Sequence, residues 1–470
     1  MKKSIYAILV ILAMFGFTAC QEYTDITPKG KNTLSTAKEL EYLMNFNLSS
    51  SSFFKFEKLS TLDNDMYFNG YKSVVKVISG VTKDLNYAWI TYDESVDRKL
   101  LTQTDANYEG LYKIITTRLN MILEQAPNVT DNPEKVKQLK AEALTLRAYL
   151  HYILVNIYAK AYNPATADKD GGIPYMNYVD FEKPCVKSSV AQVYENMLAD
   201  VNAALELNSL PDKPINYMRV GKGFAYAVKA RILLSMRNYS GALEAANTAL
   251  TYNSTLEDHR PFIAAGTLSR AGIPAEDNLF FASSQLYNPS FNTASVEILN
   301  SYYEPGNIVR YYTDTYDDDY GYGYSKVKGA SLWYNASYEQ NSAGMTTSDL
   351  YMIKAECLIR SGNVDKLQDG MNVINYIRER RINPTDYAPL SAATEAEAMA
   401  YLKKVSRIEF LFTWRNFVNI KRWNTEDAYK ETITRNINGT TYTLTPDSPL
   451  WIFPFPQSAT NYNTNITQNY

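Results

Sequence analysis

Residues 138–162 read QLKAEALTLRAYLHYILVNIYAKAY, the longest stretch of the chain with a clean helical period. Apolar side chains recur in it at steps of three and four, which places them on one broad stripe of an α-helix. They are Leu139, Ala143, Leu146, Leu150, Ile153, Leu154, Ile157 and Ala161. At about 1.5 Å per residue this helix is a rod of roughly 37 Å. A stripe of that length must be buried, so the stretch predicts the spine of a large helical domain.

Two basic side chains, Arg147 and His151, lie beside this stripe. We expect both to form structural pairs rather than to take part in chemistry. The chain has only one further histidine, His259. With so few histidines, the common His-based metal sites and catalytic triads are nearly excluded.

The composition describes a globular protein. A chain of 470 residues with 46% hydrophobic content can bury a large core, in one large domain or two interlocked ones. The formal net charge of −3 argues against a nucleic acid partner, which calls for a basic patch. The 39 tyrosines are the unusual feature, because each offers an apolar face and a polar tip. Surfaces that bind sugars or partner proteins use such side chains heavily.

The N-terminus has the pattern of a targeting segment. Lys2 and Lys3 precede an apolar run from Ile5 to Phe17, which is too short to span a bilayer of about 30 Å. Small residues then lead to Cys20, and the whole resembles the lipobox of bacterial lipoproteins. We expect residues 1–19 to be a signal peptide, Cys20 to carry lipid and residues 20–32 to form a tether. An uncleaved signal anchor is the alternative.

The residue after Cys20 is Gln21 rather than aspartate, so nothing resembles an inner-membrane retention signal. The outer membrane is therefore the expected location, with the protein lipid-anchored and exposed at the cell surface. Of the other cysteines, Cys357 lies in an apolar helical pattern, which favours a free buried thiol. Pairing of Cys185 with Cys357 remains open.

Further helical patterns follow the spine. Residues 220–250 contain two helices around Asn238, with small residues where the two approach closely. Residues 350–380 contain a second such unit, broken at Gly362 and Asn363. Repeated helical hairpins of similar size predict a solenoid-like half.

Several segments resemble one family when read together and in order. They are AEALTLRAYLHYILVNIYA (141–159), GKGFAYAVKARILLSMRNYSGALEAANTAL (221–250), LYMIKAECLIRSGN (350–363) with NVINYIRERR (372–381), and WIFPFPQSATNYNTNITQNY (451–470). Between them, Ser406-Arg407-Ile408-Glu409 and Asn419-Ile420-Lys421-Arg422-Trp423 match an Arg-rich element of the same family. The chain thereby resembles the SusD/RagB family of outer-membrane nutrient-binding lipoproteins.

The resemblance implies a mainly α fold: a SusD-like helical body with four tetratricopeptide-like helix pairs and an irregular, loop-rich ligand-binding region. The SusD-like domain would span residues 33–470, with the helix pairs mainly in 105–250 and 348–412. The loop-rich region would lie mainly in 52–100 and 255–345. The family binds glycans without chemistry and works with a SusC-like TonB-dependent transporter, which implies an oligosaccharide- or polysaccharide-capturing function here and no cofactor.

Two irregular, aromatic-rich regions are the candidate ligand sites. Residues 63–89 are broken by Gly70 and Gly80 and include Tyr87 and Trp89. Residues 301–340 hold ten tyrosines and Trp333, interleaved with Gly, Asp and Asn. We expect the two regions to converge, with Trp89, Tyr87, Tyr303 and Trp333 contacting a glycan. The alternative is that these tyrosines pack an irregular insertion or the transporter interface.

Other functions remain open at this level. The run Asp317-Asp318-Asp319 offers hard oxygens that suit calcium, although it lacks the spacing of a known loop. A surface glycoside hydrolase needs two carboxylates at a defined separation, and 50 acidic residues leave room for such a pair. A scaffold of tetratricopeptide-like hairpins would instead bind protein. The chain carries no phosphate loop, nucleophile elbow or zinc spacing.

Overall fold

The computed structural model describes residues 34–48, 54–67, 70–180, 182–265, 272–283, 293–309, 313–314, 331–333 and 340–470. The predicted signal peptide, the tether and Cys20 lie outside the described residues. The same holds for Asp317-Asp318-Asp319 and for most tyrosines of residues 301–340.

The spine helix runs from Pro133 to Tyr158. The side chain of Asn132 caps its start by accepting a hydrogen bond from Lys135 N, and Pro133 takes the first helical position, where its missing N–H costs nothing. Residues 148–158 are buried without a break. At the other end, the Lys421 ammonium donates to Asn156 O at 2.7 Å and Ala159 O at 2.6 Å. The predicted helix is confirmed, with its bounds displaced from 138–162 to Pro133–Tyr158, so that Ala161 lies beyond its end.

Eight helical segments of the described part pack one on the next in sequence order, as antiparallel neighbours joined in series do. They are Ala106–Ile114 continued through the π-turn Ile115–Leu119 into Asn120–Gln125, then Pro133–Tyr158, Val190–Glu206, Lys222–Ser235, Tyr239–Tyr252, Thr347–Ile359, Val364–Glu379 and Glu395–Glu409. Taken in order they make four pairs. The predicted mainly α body with four tetratricopeptide-like helix pairs is confirmed.

Shorter elements cover the sides and ends of this body. The helices are Ala37–Met44, Glu57–Leu62, Gly70–Ile78, Leu85–Thr91, Arg98–Leu101, Arg260–Ala265, Val296–Tyr302, Trp414–Trp423 and Gln457–Thr460, with 3-10 turns at Ala126–Asn128 and Pro449–Trp451. Two-stranded antiparallel sheets pair Gly171–Pro174 with Lys187–Ser189, Asn278–Phe280 with Met345–Thr346, and Ile433–Ile437 with Thr440–Leu444. A four-stranded sheet contains the strands Met66–Tyr67, Thr293–Ala294, Thr313–Asp314 and Ser331–Trp333.

The expectation that residues 63–89 are irregular is wrong in part. Gly70 begins a helix instead of breaking one, and a second helix runs from Leu85 to Thr91. The Asp84 carboxylate caps this second helix by accepting a hydrogen bond from Tyr87 N at 2.8 Å. Its last four residues, 88–91, are all buried, so the sequence shows a short apolar run without a helical period.

Buried arginines tie the solenoid to the helix Trp414–Trp423. Asp349 accepts hydrogen bonds from Arg231 at 2.6 Å and from Arg415 at 2.7 Å, and all three side chains are buried. Arg422 donates two hydrogen bonds to Glu356, at 2.7 and 2.6 Å. A buried charge needs such a partner to offset its loss of hydration. The Arg-rich element of the sequence is therefore structural.

The two cysteines of the described part are free, Cys357 buried and Cys185 half-buried. Burial raises the pKa of both thiols, most strongly at Cys357. The predicted free thiol at Cys357 is confirmed, and the alternative disulfide is wrong. Among the described residues, no helix combines the length and the apolar character needed to cross a membrane.

Candidate functional site

A four-stranded antiparallel sheet joins the two aromatic-rich regions. Met66–Tyr67 pairs with Thr293–Ala294, which pairs with Ser331–Trp333, which in turn pairs with Thr313–Asp314. The first strand belongs to the early region, and the last two belong to the late one. The backbone therefore brings together segments that the sequence separates by more than two hundred residues.

A small hydrophobic cluster supports this sheet. Tyr67, Val74, Ile90 and Ile437 are its buried members, and they come from the sheet, from the helices Gly70–Ile78 and Leu85–Thr91, and from the hairpin Ile433–Leu444. The cluster is separate from the main core around the spine helix. We call the outer surface formed by these four elements the convergence face.

Two tyrosines lie half-exposed on the convergence face. Tyr442 belongs to the hairpin and packs on the cluster, and Tyr87 lies on the helix Leu85–Thr91. Partial burial raises the pKa of Tyr442, and the Tyr87 phenol raises it further. Lys83 Nζ lies 5.1 Å from the Tyr87 ring centroid and 2.8 Å from Asp93 Oδ2. The hydrogen bond from Lys83, followed by those from Ser95, lowers the pKa of Asp93 to about 2, so this ion pair is charged at neutral pH.

Polar groups surround the two rings. The half-exposed Glu297 accepts a hydrogen bond from Tyr67 Oη at 2.8 Å and one from Asn436 N, also at 2.8 Å. Asn436 Nδ2 donates to Thr441 Oγ1 at 3.3 Å, and both of these residues are exposed. The face thus combines flat apolar rings with amide, hydroxyl and carboxylate groups. Such a combination can hold a ligand that has both C–H faces and hydroxyl groups.

Arg435 holds the hairpin against this region. Its guanidinium donates to Asn64 Oδ1 at 2.8 Å, to Ile90 O at 2.9 Å and to Thr61 O. Neither this hairpin nor Tyr442 is among the features predicted from the sequence. The signal for the hairpin is Asn438-Gly439 between the runs Ile433–Ile437 and Thr440–Leu444, which are rich in Ile and Thr, and both turn residues have positive φ, as a two-residue hairpin turn requires.

Trp89 does not occupy the position expected of it. It lies in a helix, its side chain is 2% exposed, and its ring stacks on Phe453 with centroids 4.6 Å apart. The Arg98 guanidinium carbon lies 5.4 Å from the same ring. The ring is thus covered by the protein and is not available to stack on a glycan. Its Nε1 has no hydrogen-bond partner in the described part, and the residue lines a pocket of about 240 Å³ together with Lys58 and Asp105.

The late region is described only in part. Tyr303 is half-buried and packs against the main core where the chain leaves the helix Val296–Tyr302. Next to it, Glu304 pairs with Arg378 of the solenoid at 2.8 Å. The backbone of Trp333 pairs with that of Thr313 in the sheet, while its side chain lies outside the described residues. Of the four expected glycan contacts, Tyr87 is on the convergence face and Trp333 belongs to its sheet.

The buried carboxylates of Asp63 and Asp65 do not form a glycosidase site. Asp63 and Asp65 are both 0% exposed, so a sugar cannot reach them. Burial raises the pKa of Asp63 well above 3.8, the neighbouring Asp65 raises it further, and Arg407 opposes the shift. Asp65 pairs with Arg407 at 3.1 Å and accepts hydrogen bonds from Asn416 and Phe412 N. These contacts fasten the strand Met66–Tyr67 to the C-terminal part of the chain.

Arg147 and His151 also have structural partners, as expected. Arg147 forms a two-point ion pair with Asp200, both distances being 2.6 Å. The His151 ring donates from Nδ1 to Arg147 O at 2.8 Å and accepts at Nε2 from Met176 N at 3.0 Å. Both ring nitrogens are thus used by the neutral imidazole. Within the described ranges, no group of three or more His, Cys, Asp or Glu side chains is placed to hold a metal.

Two family models match the chain. One, described as starch-binding associating with outer membrane, matches residues 49–234, and the other, described as SusD family, matches residues 282–470. The chain belongs to the SusD family. Together the two stretches cover most of the chain and contain every element of the convergence face. No curated protein matches it.

Solved structures share the SusD fold at low sequence identity. A SusD superfamily protein from Bacteroides thetaiotaomicron matches with a TM-score of 0.72 at 17% identity, covering 93% of this chain and 100% of that chain. A putative sugar binding protein from Bacteroides vulgatus matches with a TM-score of 0.63 at 17% identity, covering 93% and 99%. A SusD-like carbohydrate binding protein from the same species matches with 0.65 at 15% identity, covering 93% and 98%. At these identities the likeness concerns the fold.

Proposed function

We propose that this SusD family member is a lipid-anchored protein of the outer membrane that captures a glycan at the cell surface and passes it to a SusC-like TonB-dependent transporter. It binds the oligosaccharide or polysaccharide without reacting with it. The observation that carries the proposal is the convergence face, where the half-exposed Tyr87 and Tyr442 lie among exposed amide and hydroxyl groups.

Recognition at this face follows from the chemistry of a sugar. The C–H faces of a sugar ring pack on aromatic rings, and its hydroxyls exchange hydrogen bonds with amides and carboxylates. Here the rings are those of Tyr87 and Tyr442, and the polar partners are Glu297, Asn436 and Thr441. The backbone of residues 301–340 enters the same sheet through Thr313–Asp314 and Ser331–Trp333. Two of the structural relatives are described as sugar- or carbohydrate-binding proteins, which supports this reading.

The test is affinity electrophoresis in gels that contain different polysaccharides. The parent protein should be retarded by at least one of them. The double variant Tyr87→Ala/Tyr442→Ala should lose most of this retardation while its melting temperature stays close to that of the parent, because both side chains are half-exposed. Tyr42→Ala is the matched control: Tyr42 is 59% exposed on the helix Ala37–Met44, which contributes nothing to the convergence face. Equal retardation of the double variant and the control would refute the assignment of the site.

The remaining parts of the proposal have separate readouts. Incubation with the retarding polysaccharide should release no reducing ends, and any release would favour the hydrolase alternative. Pull-down from outer membranes should recover the transporter. Recovery of the transporter without any glycan binding would favour the protein-binding scaffold instead.

A further inference from the structure

A second cleft lies at the C-terminal end of the spine helix. Its volume is about 530 Å³, within the range of roughly 300–1,000 Å³ typical of small-molecule sites. Four separated stretches line it, residues 160–170, 421–430, 446–452 and 469–470. None of them contributes to the convergence face, so the cleft is a different part of the molecule.

The charged groups of the cleft are paired with one another. Lys160 pairs with Asp170 at 2.8 Å, and Lys430 lies 2.9 Å from Asp427 and 3.8 Å from Asp447. Lys421, the remaining basic residue of the lining, donates to the two backbone carbonyls that end the spine helix, and burial lowers its pKa well below 10.5. The lining holds three lysines and three aspartates, so it has no basic excess that would attract an anion.

Asn424 provides a hydrogen-bond donor that the protein does not use. The residue is 5% exposed and lines the cleft. Its Oδ1 accepts a hydrogen bond from Glu431 N at 2.9 Å, whereas its Nδ2 has no partner in the described part of the chain. A buried donor left without an acceptor costs about 1–3 kcal/mol, so an acceptor that enters the cleft is favoured.

The walls of the cleft offer further contacts for a hydroxylated ligand. Asn163 and Thr166 supply an amide and a hydroxyl on one side. On the other, the Tyr470 ring lies 3.9 Å from the Arg98 guanidinium carbon and is 41% exposed. A partly exposed ring beside amides and hydroxyls suits the C–H faces and hydroxyls of a sugar, as at the convergence face.

We propose that this cleft is a second binding site, for a short neutral oligosaccharide, one oxygen of which accepts the hydrogen bond of Asn424 Nδ2. Because the lining has no basic excess, it favours a neutral ligand over an anionic one, and the cleft volume selects a short one. The inference extends the proposed function from one glycan site to two, and it rests on lining residues that the first site does not use.

The test uses the mature chain with the convergence face disabled by Tyr87→Ala/Tyr442→Ala. Maltotriose, cellotriose and mannotriose are the neutral probes, and trigalacturonic acid is the charged one, with binding measured by ligand-observed NMR titration. At least one neutral trisaccharide should still bind the double variant, and more tightly than the charged probe. Adding Asn424→Asp should weaken that binding about tenfold, the equivalent of one hydrogen bond of about 1.4 kcal/mol.

The choice of variants separates a lost contact from a lost fold. Asn424→Asp keeps the oxygen that accepts from Glu431 N and replaces only the free donor. Tyr470→Ala, at an exposed position, should also weaken binding while the melting temperature is retained. Asp212→Asn is the control, because its side chain is 72% exposed and does not line the cleft.

Each result bears on one proposal or on both. Binding by the parent but not by the face-disabled variant would overturn the second site and leave the proposed function standing. Unchanged binding after Asn424→Asp and Tyr470→Ala would also overturn it. A parent protein that binds neither polysaccharide nor trisaccharide would overturn both proposals.

Discussion

The indole of Trp89 stacks on the ring of Phe453, with centroids 4.6 Å apart and ring planes 29° from parallel. Phe453 precedes the Pro454-Phe455-Pro456 segment near the end of the chain, whereas Trp89 lies in its first fifth. The contact joins the helix Leu85–Thr91, which carries Tyr87, to the C-terminal segment. Trp89 therefore supports the convergence face from beneath.

This position predicts that Trp89→Ala destabilises the fold instead of removing one ligand contact. The loss should be about 3–5 kcal/mol, the range for truncating a buried aromatic residue to alanine. Chemical denaturation of the variant measures it. Tyr87→Ala is the comparison, because this half-exposed side chain should affect glycan binding more than stability. A Trp89→Ala protein with the stability of the parent would contradict the structural role.

The spine helix gives a second stability prediction. Leu150 is 0% exposed and Leu146 is 2% exposed, so Leu150→Ala and Leu146→Ala should each cost roughly 2–5 kcal/mol. Lys137→Ala on the same helix is the control, because its side chain is exposed and its substitution should change stability by less than about 0.5 kcal/mol. Thermal melts report all three. Losses below about 1 kcal/mol at both leucines would show that the stripe is not core.

His151 predicts how stability responds to mild acid. Burial lowers its pKa from 6.5 to about 3, and the Arg147 charge acts in the same direction, while the hydrogen bond to Arg147 O opposes the shift. Protonation would also place a hydrogen on Nε2, which already accepts from Met176 N. Because the folded pKa lies below the unfolded one, this contribution is complete above pH 6.5 and is lost as the pH falls towards 3. The loss should be about 1.4 kcal/mol per pH unit.

Denaturant titrations between pH 7.5 and 5 test this response. His151→Gln removes the titrating group, so the variant should lose less stability than the parent over the same interval. His259 and the carboxylates are common to both proteins and cancel in the comparison. Parallel pH profiles for parent and variant would show that His151 does not account for the dependence.

The lipid anchor predicts a change of location. Cys20→Ala removes the sulfur that would carry lipid, so the variant should appear as unprocessed or soluble periplasmic protein. Membrane fractionation followed by immunoblotting measures the distribution, with Cys185→Ala as the control for the loss of a cysteine. Recovery of the Cys20→Ala protein in the outer membrane at the level of the parent would argue against the anchor.

The residues of the convergence face can be predicted from the sequence only in part. Aromatic residues among Gly and Asn favour a binding loop, which predicts Tyr87 as a ligand contact, and Tyr87 lies on the face. The same pattern predicts Trp89, which is buried because Phe453 and Arg98 cover its ring. Tyr442 lies on the face as well, but the residues around it in the sequence do not indicate a binding loop. The residues around a side chain in the sequence do not show which distant segment of the chain covers it.

The sequence by itself determined the spine helix, the helical hairpins and the free thiol of Cys357. Each of these depends on side chains that lie a few residues apart on one helix. Residues three and four apart share a face of the helix, so apolar side chains at that spacing predict which face is buried. Only the tertiary structure decided that Met66–Tyr67 pairs with Thr293–Ala294, that Arg435 fastens the hairpin to Thr61 and Ile90, and that the cleft beside Asn424 exists. These features join segments far apart in the chain, and their geometry follows from how all the helices pack together, which no local pattern encodes.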